Sequence, residues 1–108
     1  MAGQKDGKPP FVKLVTHERE AKENIPFKIQ LEADWPTPSW IHQNTQVEIN
    51  KEKSEMIIWY LGTRRPGVAL QEVKDFTVEL SVEFPNKGLW KLTVMGKNEN
   101  WESQITVI

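Results

Sequence analysis

The residues able to do chemistry are few and scattered along the chain. His17 and His42 are the only histidines and there is no cysteine. No His-x-His or thiolate spacing gathers them into the kind of ligand set that zinc or copper needs. Met56 and Met95 lie in apolar strand-like runs, where flexible thioethers fill gaps in a core. Ser39, Ser54, Ser81 and Ser103 lack the Gly-x-Ser-x-Gly turn that exposes a nucleophile. The carboxylates fall on the polar positions of alternating stretches, where solvation accounts for them, and no phosphate-cradling glycine loop is present. The chain is expected to be no enzyme and to carry no metal and no cofactor.

What remains is recognition chemistry, in two short stretches. "WPTPSW" sets Trp35 and Trp40 around a loop stiffened by Pro36 and Pro38. Rigid aromatics lose little entropy on binding, which favours recognition. A lid over one end of the fold would use the same residues, since Trp hides most of its area in folded proteins. "GTRRPG" presents Arg64 and Arg65 between glycines, and a guanidinium fork suits a carboxylate or phosphate. A solvated connecting loop has the same composition. Trp35, Trp40, Arg64 and Arg65 are the candidate binding residues. A partner is expected to meet Trp40 or the arginine pair before the wet face around Glu79 and Glu83.

The elements that must position these residues are strands. "IPFKIQLEADW" puts Phe27, Ile29, Leu31 and Ala33 on one face, and Lys28, Gln30 and Glu32 on the other, the period of a half-wet strand. "DFTVELSVEFP" alternates without an error from Phe76 to Phe84. "FVKLVTHE", "TQVEIN" and "WESQITVI" alternate more weakly. "MIIWYL" is continuously apolar, as in a strand covered on both sides or set at an interface. "HEREAKENI" is too short and polar to bury a face and reads as a connection. About seven short strands with no strong helix predict an all-β, immunoglobulin-like antiparallel sandwich. Residues 1–10, polar and ending in Pro9-Pro10, are expected to form a flexible tether, with the sandwich domain over 11–108.

"FPNKGLWKLTV", residues 84–94, supplies the sharpest local signal. A turn at Asn86-Lys87-Gly88 is followed by Trp90, Leu92 and Val94 on one face. In immunoglobulin-like sandwiches an aromatic early in the penultimate strand pins such a corner, and Gly88 can supply the positive φ that a corner needs. The stretch resembles the closing strands of Ig-like (E-set type) domains of bacterial exported proteins and lipoproteins, the YtkA-like family among them. There a final Gly-x-aromatic-x-apolar-x-Val completes the sandwich. The resemblance covers roughly the last third of the chain and reaches the rest only through strand count. It implies an exported, membrane-anchored location outside the cytoplasm. The anchoring cysteine of such lipoproteins is missing here, while "GQKDGKPP" fits the tether that follows one. A cytoplasmic location stays open.

Composition narrows the partners. With 108 residues there is room for one core. A net charge of −1 leaves no footprint for nucleic acid, and no apolar run approaches the ~18 residues of a transmembrane segment. The expectation is a monomeric, non-catalytic binding or accessory module of the cell envelope, meeting a protein or glycan partner. Five Trp keep a carbohydrate-binding module open, provided two rings are coplanar and exposed. A structural domain of a larger assembly is the third reading, with "MIIWYL" as its adhesive edge.

Overall fold

A computed structural model describes residues 7–35, 40–64 and 75–108. The described chain is built of strands: β1 (Phe11–His17), β2 (Glu20–Ala21), β3 (Phe27–Asp34), β4 (Trp40–Asn50), β5 (Glu55–Arg64), β6 (Asp75–Val82), β7 (Gly88–Val94) and β8 (Trp101–Val107). They form two sheets, ordered β1-β3-β6 and β2-β8-β7-β5-β4.

The smaller sheet follows from patterning. β3 and β6 pair antiparallel so that Phe27, Ile29, Leu31 and Ala33 stand opposite Val82, Leu80, Val78 and Phe76. Two alternating strands thus contribute their apolar faces to one side of the sheet, and a one-residue slip would turn every one of them to water. The larger sheet answers with Met56, Ile58 and Tyr60 from β5, Trp90, Leu92 and Val94 from β7, and Ile105 and Val107 from β8, all buried. Together these side chains make one core cluster between the sheets.

Among the described residues eight strands stand where about seven were expected, and the larger sheet is mixed. β2 lies within the stretch read as a connection and pairs parallel with β8 through Glu20↔Thr106 and Ala21↔Val107. β5 pairs parallel with β7, Glu55–Ile58 against Lys91–Val94. The reason is topological. After β5 the chain crosses to the smaller sheet for β6 and returns at β7 running the same way, and such a crossover is what parallel neighbours require. "MIIWYL" is therefore an interior stretch of β5, flanked by β4 and β7, and not a sheet edge.

β5 outruns β7. Past Ile58 its free side is taken by the N-terminal segment: Lys8 and Gly62 exchange both backbone hydrogen bonds, 2.9 Å each. The Pro10 carbonyl accepts from the Lys97 N–H at 2.8 Å, and Pro10 is fully buried. In the stretch read as a tether, residues 7–10 are thus bound to the body of the fold, and 1–6 lie outside the described residues.

The corner before β7 is pinned by Trp90. Its ring is 0% exposed and its Nε1–H donates to the Asn86 carbonyl at 2.9 Å. Gly88 sits at φ 132°, a region that side-chain-bearing residues avoid. Phe84 meets Trp90 edge-on at 5.4 Å and Phe27 at 5.7 Å, so the corner is tied to both sheets.

Candidate functional site

The described residues Trp40 and Gly62–Arg64, from the two stretches singled out in the sequence, meet at one end of the β4–β5 hairpin. Trp40 opens β4 and Arg64 closes β5, and the two are direct cross-strand partners. The Lys8 bridge to Gly62 brings a second cation to the same place. Gly7, Lys8, Trp40, Gly62, Thr63 and Arg64 line a shallow hollow of about 400 Å³. Arg65, Pro36, Pro38 and Ser39 lie outside the described residues.

Trp35 plays a different part. It is buried and stacks on Trp40 (6.0 Å, 15°), Phe76 (5.1 Å, 24°) and Tyr60 (6.2 Å, 26°). Its ring lies so close over Gly62 that a Cβ there would run into the indole. Trp35 is the buried ring of the pair, and Trp40 is the half-exposed ring held against it. Stacking continues through Tyr60 to His42 at 4.3 Å. Desolvation raises the Tyr60 phenol above its ordinary 10.0, because burial disfavours the phenolate.

None of the five Trp is fully exposed. Trp35 and Trp90 are buried, and Trp40, Trp59 and Trp101 are half-buried. The near-parallel pair, Trp35 and Trp40, covers one another's faces instead of presenting two rings side by side. The coplanar exposed pair that a sugar platform requires is not formed by these rings.

Both histidines have structural work that their isolation in sequence did not reveal. His42 Nε2 is 2.9 Å from Thr45 Oγ1. His17 stands at the end of β1, half-buried between the rings of Phe27 and Trp101 at 5.9 Å each. Its Nδ1 lies 2.6 Å from the Glu18 carbonyl, which can only accept, so Nδ1 carries a proton. Its Nε2 lies 2.6 Å from Ser103 Oγ on β8. A Ser–His contact of this length is the pairing used by nucleophile and base in hydrolases. Here it joins the smaller sheet to the larger across one flank, in a ring cage that fixes the imidazole. No pattern of spacing marks this pair, because the residues are 86 positions apart.

Among the described residues no group of three or more His, Asp or Glu side chains is arranged to hold a metal ion, and no helix is long and apolar enough to cross a membrane. No protein-family model matches the chain, and searches of curated proteins and of solved structures find no match.

Proposed function

We propose that this chain is a non-catalytic, immunoglobulin-like binding module whose recognition end is the hollow between Trp40, Arg64 and Lys8. The observation that carries the reading is the cross-strand pair itself: a half-exposed indole beside a guanidinium, with an ammonium one bridge away. Such a set favours a carboxylate-bearing protein segment, because Arg offers a bidentate fork and the ring a flat apolar wall. Support for the immunoglobulin-like assignment comes from the Trp90-pinned corner and the two facing sheets. The departure is β4, which lies outboard while β5 takes the place beside β7. The resemblance of residues 84–94 to exported domains is what favours the bacterial cell envelope, with the chain as the soluble part of a lipoprotein.

The test uses an acidic peptide, oligo-glutamate, titrated into the full chain with amide chemical shifts as the readout. Shifts should concentrate at Lys8, Trp40, Thr63 and Arg64, and Trp40→Ala and Arg64→Ala should each weaken binding, while Glu79→Ala/Glu83→Ala should not. Shifts centred on Glu79 and Glu83 would overturn the site. Labelling of Ser103 by a fluorophosphonate would overturn the non-catalytic assignment.

A further inference from the structure

The two sheets leave four edges, and they are not alike. β1 is interrupted by a bulge between Val12 and Leu14 and carries Lys13. β2 is two residues long. Bulges, lysines and shortness are the devices that keep sheet edges from pairing with other chains. β6 carries Asp75 and Glu79. β4 is the longest strand, 11 residues, without Lys, Arg or Pro, and Glu48 is its single charge. Among the described residues no strand pairs with its outer side.

β4 also keeps an unbroken register with β5 over a defined length. A bulge lies between His42 and Asn44, and a turn occupies residues 51–54. The stretch between them is 44–50, with Val47 at its centre. Val47 and Ile49 stand opposite Ile58 and Met56, so they point to the core side of the sheet. Yet they are 41% and 45% exposed, whereas Ile58 and Met56 are 0%. The smaller sheet stops short of them, and an open hollow of about 310 Å³ lies between β4 and the end of β6, lined by Val47, Ile49, Ser81, Val82 and Glu83.

We propose that β4 pairs antiparallel with β4 of a second copy about a two-fold axis through Val47. An isologous contact must be self-complementary, and this stretch is. With Val47 opposite its own copy, Thr45 meets Ile49, Gln46 meets Glu48, and Asn44 meets Asn50. No like charges face each other, and the net charge of −1 leaves little repulsion between copies. The register joins the exposed core-side residues of both chains into one ladder, the unit that stabilises paired strands. It also ends where the unbroken register ends, at the bulge on one side and the turn on the other. β6 has less to gain, because Phe76, Val78 and Leu80 already pack against the core. A monomer is what the sequence leads one to expect; the sheet order exposes the edge that makes a dimer.

Sedimentation of the full chain over a range of concentration tests this, with far-UV circular dichroism to confirm folding of each variant. The wild-type chain should pass from one copy to two as concentration rises. Val47→Lys and Val47→Glu should each weaken self-association about tenfold or more, since like charges directly opposite are destabilising. An equimolar mixture of the two should associate again, because the axis places Lys against Glu only in the mixed pair. Under oxidation, Val47→Cys should form a linked dimer faster than Val78→Cys on β6. A wild-type chain that stays single at all concentrations, a mixture that fails to associate, or faster linkage through Val78→Cys would each overturn the proposal.

Discussion

The two flanks of the sandwich are closed by different means, and among the described residues one of them is hardly closed at all. On the β1–β8 flank, β2 covers the side of β8 and the His17–Ser103 contact binds one sheet to the other, with Phe27 and Trp101 on either side of the imidazole. On the β4–β6 flank, core-side residues of β4 reach past the smaller sheet into solvent. The difference is not one of hydrophobicity, since Val47 and Ile49 are as apolar as Ile105 and Val107. It lies in what stands opposite. A strand's inward face is buried only if the facing sheet extends over it, and a three-stranded sheet cannot cover a five-stranded one.

Four measurements break or sharpen that contrast. Trp90 is buried in the core that both flanks enclose, and Trp90→Ala should cost about 3–5 kcal/mol, as large aromatic truncations in cores do; chemical denaturation gives the value, and an unchanged midpoint would remove the corner from the account. Gly62→Ala drives a methyl into the Trp35 indole and should cost about 1–3 kcal/mol as overpacking, with near-UV dichroism reporting the disturbed rings. Next comes a matched pair. His17→Ala removes two hydrogen bonds from the closed flank and should cost about 1–2 kcal/mol. Ile49→Thr on the open flank should stay within about 0.5 kcal/mol in dilute solution, as surface substitutions do. Equal costs would mean that the flanks are closed alike. The smallest effect concerns the alkaline limb. Tyr60 is the one tyrosine, so absorbance at the phenolate band reports it alone. Its midpoint should lie above 10.0. A folded-state value above the unfolded one means that stability is kept below the unfolded value and declines as pH rises through the folded one. A midpoint at the ordinary value would place the ring in water.

Much of the layering was legible in residue order. The alternation of Phe27 to Ala33 and of Phe76 to Val82 names two strands and the face each buries. Gly88-x-Trp90 marks a corner before the indole is seen to bond Asn86. What stayed hidden depends on which strand lies beside which. "MIIWYL" has the same composition whether it is an edge or a centre, and only the crossover through β6 settles it. Glu20-Ala21 is too short to show a period. Trp40 and Arg64 belong to separate loops in sequence, and the β4–β5 register makes them neighbours. The His17–Ser103 clasp gave no signal, because nothing local distinguishes a histidine that bridges sheets from one in water.

The parallel pairing of β5 with β7 also sets a sequence of events in folding. β4 and β5 are joined by a four-residue turn and can meet as a hairpin within about 1–10 μs. β7 can reach β5 only after the intervening chain has crossed to the other sheet and back, and contacts that close long loops form late. Between those moments the hairpin exposes both its sides, with "MIIWYL" along one and "NTQVEIN" along the other. A nascent or refolding chain at high concentration is most vulnerable to misassembly in that interval, when the segment that ends up most protected is still uncovered.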